Sequence, residues 1–318
     1  DRLGPHGAAR PGAMSPSLDD GLPMCLWRTP PDWLEHAVAS ALDDDTPLEL
    51  VLVDDGNDVP VSASLAVQDA RIRHVRIPHG GQLAARDAGI AAARGRYLRF
   101  LDADDVVVRG STARLLGLAG GRSDVVAYGA VTVCDETLRP LSTMSSTLQG
   151  RVESRCLLGG FEVRHVAMLF PRPVVDRAGR WSTGLHVSAD WDFVLRALEH
   201  AEVIGCTDPM VLYRRHGASV SGRADIESGE RAREQIIRRY LERNPHMKGT
   251  DVERAAWAAL LLDRARAYAA VGDGRSSLRR LRTAAPLEPL RPLRATLQAA
   301  RLLARGTRRT RAAARGAT

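Results

Sequence analysis

The stretch RYLRFLDADDVV (residues 96–107) sets three aspartates, Asp102, Asp104 and Asp105, at the end of an apolar run. Aspartate suits turns because its side chain bonds nearby backbone donors, so an acidic pair after a strand has a bland explanation. Three carboxylates this close repel one another, and the cost falls when a cation lies between them, which makes the cluster a candidate divalent-metal site. A second acidic pair, Asp54-Asp55, ends the run LELVLV (48–53) and precedes Gly56, a residue able to turn the chain sharply.

The elements that must position these residues alternate in type. LPMCLW (22–27) reads as a short strand, PDWLEHAVASAL (31–42) as a helix with Trp33, Leu34, Ala37, Val38 and Ala41 on one face, and LELVLV as a buried strand. A weak helix near 60–69, a strand over 71–77, a helix over 82–94 and a strand over 96–101 follow. Strands alternating with helices imply a parallel sheet with right-handed crossovers, and ligands of such sheets bind beyond the carboxyl ends of the strands. Both acidic clusters fall at such ends. Further on, Trp191, Val194, Leu195 and Leu198 form an i, i+3, i+4, i+7 apolar face that leaves Asp190 off it, in the first turn, where the helix dipole favours a carboxylate.

Composition bounds the rest. The 318 residues are 44% hydrophobic, enough for a core, and no apolar run reaches membrane-spanning length. Residues 1–21 hold no apolar segment of the signal-peptide kind, so the expected compartment is the cytoplasm. Cys25, Cys134, Cys156 and Cys206 are widely spaced and read as buried free thiols. From Asp225 onward there are 21 Lys+Arg against 10 Asp+Glu, and before it 24 against 28, so the basic excess lies in the last third.

The segments LVLVDDGND, HGGQLAARDAGIAAARGRYLRFLDADD, MLFPRPVVDRAGRW, SADWDFVLRAL and LYRRHGASVS, in that order, resemble family 2 of the inverting glycosyltransferases. The resemblance covers about residues 21–222. It implies the nucleotide-diphospho-sugar transferase fold GT-A, α/β, a Rossmann-like mostly parallel sheet with flanking helices; outside it, residues 1–20 read as a disordered tail and 223–318 as a helical C-terminal extension with a basic tail. It implies a sugar moved from a nucleotide-diphospho-sugar to the hydroxyl of a glycan or lipid-linked acceptor in surface polysaccharide or glycoconjugate assembly, with Mn²⁺ or Mg²⁺ as cofactor.

By the same resemblance Asp102 and Asp104 form a D-x-D, with Asp104 and His216 toward the metal and Asp102 toward the ribose or sugar. Asp55 is expected at the nucleobase, with Asp54 supporting its turn, Arg86 at base or phosphate, Thr29 at the nucleotide, and Arg214 or Arg215 against phosphate charge. Asp190 is expected as the general base that takes the acceptor's proton. Asp105 reads as a turn or helix-cap residue. The chain departs from the family pattern at Asp87, where the family has Asn, at Ala189, where it has an acid, and in the first strand, whose usual P-T-Y-N is absent. These departures keep open a second reading, a non-catalytic member that binds nucleotide sugar or a partner enzyme. A nucleotidyltransferase would need a Gly- and Lys-rich phosphate loop after the first strand, and none is seen.

The last third reads as helices over ERAREQIIRRYLERN, DVERAAWAALLLDRARAYAAVGD and GRSSLRRLRTAAPLEP, the latter two resembling one tetratricopeptide-like hairpin. In RPLRATLQAARLLAR, Arg291, Arg294, Arg301 and Arg305 share one helical stripe, the pattern of a helix lying on an anionic membrane surface at its inner face, or of a solvated helix. No recognition motif or stacking platform accompanies them, so nucleic acid is not expected as a partner.

Overall fold

The uninterrupted apolar run around residue 50 becomes β2 (Leu48–Asp54), buried along its whole length, as a strand covered on both faces must be. It pairs in parallel with β1 (Asp20–Leu26) on one side and with β3 (Ile72–Arg76) on the other. The computed structural model describes residues 20–26, 29–43, 46–161, 164–185, 187–217 and 225–287. The tail before residue 20, Trp27, Arg28 and the stripe of Arg291, Arg294, Arg301 and Arg305 lie outside those residues.

Between the strands run α1 (Pro31–Leu42), the short α2 (Val61–Ser64) and α3 (Gln82–Ala92). The helix expected over 60–69 is only the one turn of α2, because Leu65 is already extended. On α1, Leu34, Ala37, Val38 and Ala41 are buried as their spacing predicts. The strand expected over 96–101 is two pieces, β4 (Tyr97–Leu98) and β5 (Leu101–Asp102), both parallel to β1. The interruption is Arg99-Phe100. Arg99 is buried and donates to Ser111 Oγ, Thr112 Oγ1 and the Met210 carbonyl, while Phe100 enters an aromatic cluster.

The sheet continues through β6 (Val106–Val107), β7 (Val125–Cys134), β8 (Pro140–Met144), β9 (Met168–Pro171) and β10 (Glu202–Arg214), in the order β3-β2-β1-β4-β9-β7-β10-β6. It is parallel from β3 to β4 and between β7 and β10, whereas β9 runs antiparallel to both β4 and β7, and β6 and β8 are antiparallel additions. The chain leaves β1 toward β2 and β3 and returns on its far side as β4 and β5, a topological switch point.

Five helices cover this part of the sheet or close its ends: α3, α4 (Ser111–Ala119), α5 (Glu153–Leu157), α6 (Arg172–Ala178) and α7 (Ala189–Leu198). Three more follow: α8 (Ile226–Arg243), α9 (Asp251–Ala270) and α10 (Gly274–Ala284), capped by Asp225, Thr250 and Asp273 through side-chain bonds to the amides of Ser228, Glu253 and Ser276. Ile236, Ile237, Tyr240 and Leu241 of α8 join the main core, and Glu230 of α8 is paired with Arg280 of α10 at 2.8 Å. No described helix is long and apolar enough to cross a membrane.

β10 shifts register between Gly205 and Val211, and at the first of these residues the Tyr128 ring of β7 lies across the backbone. A Cβ at Gly205 would fall 2.1–2.5 Å from atoms of that ring, whose hydroxyl donates to the Leu148 carbonyl at 2.6 Å. Gly205→Ala should therefore lower stability by about 1–3 kcal/mol through overpacking. Urea unfolding of the single variants and of Gly205→Ala with Tyr128→Ala tests this, since removing the ring should remove most of the cost.

Candidate active site

At the switch point the register places Asp102 and Val53 on either side of Cys25, so the acidic turn after β5 and the Asp54-Asp55 pair after β2 share one rim. Thr29, between β1 and α1, is half-buried near that rim. Asp54 does not face outward. Its Oδ1 accepts from the Asn57 amide and side chain at 2.9 and 2.7 Å, and its Oδ2 accepts from the Val61 amide. Burial would raise its carboxyl, but these bonds and Arg76 outweigh burial and hold it below the ordinary range.

Asp55 is also withdrawn, at 1% exposure. Its Oδ1 accepts from the Gly80 amide at 2.8 Å, and its Oδ2 from the Gly81 amide and His79 Nδ1, each at 3.0 Å. Gly56 has φ of 75°, and a Cβ there would sit 2.7 Å from the His79 nitrogen, so glycine is required for the loop over 79–81 to close on Asp55. What Asp55 presents to the rim is this loop and the half-exposed imidazole of His79.

The same loop leads into α3. From α3 Arg86, itself buried, donates to Asp102 Oδ1 at 2.8 Å and lies 4.4 Å over the Trp181 ring. Its neighbour Asp87 accepts from the Trp181 amide at 2.9 Å, a bond that the Oδ1 of an asparagine would make equally well. Burial works to raise Asp102, but Arg86 and then His165 prevail, and the carboxyl lies below its ordinary value.

Asp104 turns the other way. Its Oδ2 is 2.8 Å from His216 Nε2, and the imidazole is met edge-on by Trp33 at 4.9 Å. Trp33, expected among the core residues of α1, is thus part of the site. Burial, followed by the charge of Asp102, pushes the Asp104 carboxyl up. One carboxylate of unbalanced charge and one imidazole suit a hard divalent cation whose other ligands come from substrate oxygens and water. Among the described residues no group of three or more His, Cys, Asp and Glu side chains forms a complete cage.

Asp105 is fully buried and closes the expected turn, its amide donating to the Asp102 carbonyl at 3.0 Å, while its side chain has a further role. Its Oδ1 accepts from the Arg214 amide at 2.8 Å, tying the turn to the end of β10. Burial and the charges of Asp104 and Asp102 push its carboxyl well above the ordinary range. Arg214 is likewise taken up by the protein. Its Nε donates to the Asp104 carbonyl and its guanidinium bonds the Glu136 carbonyl and covers Trp33, so it does not reach outward to phosphate, whereas Arg215 is exposed.

Asp190 occupies the first turn of α7 and accepts from the Trp191 amide at 2.9 Å. The residue before the helix, Ser188, has φ of 60°, a conformation uncommon outside glycine. Asp192, which the periodicity did not single out, is wholly buried, paired with Arg196 and bonded by Ser182, and so fastens the Trp181-Ser182 segment to α7. Asp190 and Asp102 both act electrostatically on His165.

Residues 25–218 match the sequence profile of glycosyl transferase family 2. The chain belongs to that family. It is 29% identical over 184 residues to the succinoglycan biosynthesis protein ExoU of Rhizobium meliloti, covering 52% of this chain and 53% of that one. It is 28% identical over 187 residues to the uncharacterized glycosyltransferase EpsJ of Bacillus subtilis, covering 55% and 54%. The match thus spans about half the length of these curated relatives. The crystal structure of S. aureus TarS 1-349 in complex with UDP-GlcNAc superposes with a TM-score of 0.53 at 13% identity, covering 84% of this chain and 90% of that one, a likeness of fold. The fold is GT-A.

Sequence reasoning missed His165, which no spacing marked. It is 4% exposed, walled by Phe100 and Trp181 with ring centroids 5.9 and 5.4 Å away, and among the described residues neither ring nitrogen has a hydrogen-bond partner. Burial, with Arg86 adding to it, lowers its pKa to about 4 from an ordinary 6.5. Unfolded chain therefore takes up a proton at His165 near pH 6.5 that folded chain refuses until about pH 4. This contribution is fully present above pH 6.5 and is lost as pH falls through that window, by about 3 kcal/mol at its limit. Thermal unfolding measured across the window should show that component in wild type and not in His165→Gln.

Proposed function

We propose that this chain is a metal-dependent inverting glycosyltransferase that transfers a sugar from a nucleotide-diphospho-sugar to an acceptor hydroxyl in polysaccharide or glycoconjugate assembly. The observation that carries the reading is the division of labour in one turn: Asp102 engaged by Arg86, and Asp104 facing His216, at the switch point of a GT-A sheet. Membership of the family supports it, as does the name of the succinoglycan relative, and TarS, which shares the fold, is seen with a donor of this class.

In this reading the nucleobase meets the His79–Gly81 loop that Asp55 organises, and Asp102, oriented by Arg86, accepts from hydroxyls of the ribose or sugar. Asp104 and His216 hold Mn²⁺ or Mg²⁺, which supplies charge neutralisation to the departing diphosphate. Asp190 takes the proton of the acceptor hydroxyl as that oxygen forms its bond to the anomeric carbon from the face opposite the diphosphate. The acceptor is a glycan or lipid-linked glycan, and the arginine-rich stretch beyond residue 290 brings the enzyme to the inner face of an anionic membrane. Ala189, in place of the family's first acid and only 7% exposed, favours the second reading, a member that binds the donor without transferring it.

Two substitutions separate these readings. Asp104→Asn should weaken nucleoside diphosphate binding in Mn²⁺ or Mg²⁺ while leaving binding in chelator nearly as in wild type, measured by calorimetry; equal affinity under all conditions would end the metal assignment. Asp190→Asn should keep donor binding and lower transfer by roughly two to four orders of magnitude, the usual contribution of a positioned base. Transfer is followed as nucleoside diphosphate released from a panel of donors, and wild type that binds a donor yet releases none supports the second reading.

A further inference from the structure

We propose that Arg164 is a donor-binding residue, its guanidinium set to receive the leaving diphosphate; this rests on the donor reading above. Arg164 directly precedes the short helical turn His165–Ala167 that leads into β9, the strand between β4 and β7, so its backbone is placed by the middle of the sheet. Its guanidinium carbon lies 4.3 Å from the centroid of the Tyr213 ring, and Tyr213 is the β10 residue next to Arg214, whose amide binds Asp105, and three before His216. From there its charge reaches the acidic turn, acting on Asp102 and Asp105, and also on His165.

Among the described residues Arg164 nonetheless forms no ion pair with any carboxylate, and its Nε is buried without a hydrogen-bond partner. Arg86 is committed to Asp102 and Arg214 to carbonyl oxygens of Asp104 and Glu136, while Arg215 is exposed. A half-buried cation stacked on an aromatic ring, whose charge reaches Asp102 and Asp105 without bonding either, is poised for an anion that arrives with the substrate. Stacking fixes the plane of the guanidinium, and a fixed planar fork matches pairs of phosphate oxygens better than a lysine does.

During transfer the bond between the anomeric carbon and the β-phosphate oxygen breaks, and its electron pair stays on that oxygen. The acceptor oxygen bonds the same carbon and its proton passes to Asp190. Arg164 remains protonated throughout and donates N–H bonds to the oxygens on which charge grows. This is the task expected at first of Arg214 or Arg215; β10 buries Arg214, Arg215 is exposed, and Arg164 is the one whose charge reaches Asp102 and Asp105 while it stacks on Tyr213.

The experiment is calorimetry of full-length wild type, Arg164→Met and Arg164→Lys with UDP, dTDP, GDP and ADP in Mg²⁺, and with the nucleoside of whichever binds best, followed by ligand-observed NMR. Arg164→Met should weaken the best diphosphate about ten-fold or more, the effect of one charge-assisted bond, and leave the nucleoside unchanged. Arg164→Lys should recover part of the loss. Equal affinity of wild type and Arg164→Met for the diphosphate overturns the role of Arg164 and leaves the donor reading standing. Equal loss for diphosphate and nucleoside, or no recovery with lysine, also overturns it. Wild type that binds none of the four in Mg²⁺ overturns the donor reading and this inference together.

Discussion

Three carboxylates in four positions at the end of a buried strand would repel one another strongly in the low dielectric of the sheet edge, and each is dealt with differently. Arg86 satisfies Asp102, a backbone amide and a raised proton affinity accommodate Asp105, and Asp104 is left facing an imidazole. These three solutions come from three separate parts of the chain: α3, the end of β10, and the residues just past β10. Closing the acidic turn therefore requires the two halves of the sheet to meet, so folding and assembly of the site are the same event.

Behind the turn stands an aromatic wall. Trp181 stacks on Phe193 at 4.5 Å, and Phe100 meets Trp181, Phe170 and Phe193 edge-on. Arg86 covers the other side of Trp181, and Asp87 holds its backbone. The wall gives α7, and with it Asp190, a rigid seat against the strand that carries Asp102. It also excludes water from His165, whose proton affinity is depressed for that reason. Well-packed rings and an ionic turn are thus coupled: loosening the rings would rehydrate the charges that the site keeps apart.

The C-terminal helices extend this logic outward. The apolar face of α8 is part of the main core, while α9 and α10 enclose a small cluster of their own around Leu262, Ala265, Ala269 and Leu281. The Glu230–Arg280 pair, stacked on Tyr268, connects α8 to that hairpin. A buried pair of this kind is weak ground for stability but a strong constraint on register, since moving either helix by a turn would leave a charge unpaired.

Local pattern alone determined much of this protein. Periodicity marked α1, β2, β3 and α3 because each buries one regular set of apolar residues, and the acidic ends of β2 and β5 pointed to one rim because parallel strands end on the same side. The acidic cluster after β5 stood out by residue type and Asp190 by its place off the apolar face of its helix, whereas the D-x-D roles and His216 were proposed from the family resemblance. Tertiary structure decided the rest, since partners distant in sequence have no periodicity to announce them. Residues His79–Gly81 cover Asp55, the end of β10 removes Arg214 from reach, and Trp33 leaves its expected core for His216. His165 and Arg164 acquired their surroundings only when β9 was inserted antiparallel between β4 and β7. What a charged side chain does depends on which opposite charge, ring or amide the fold brings within bonding distance, and that is set by sheet order rather than by neighbours in the chain.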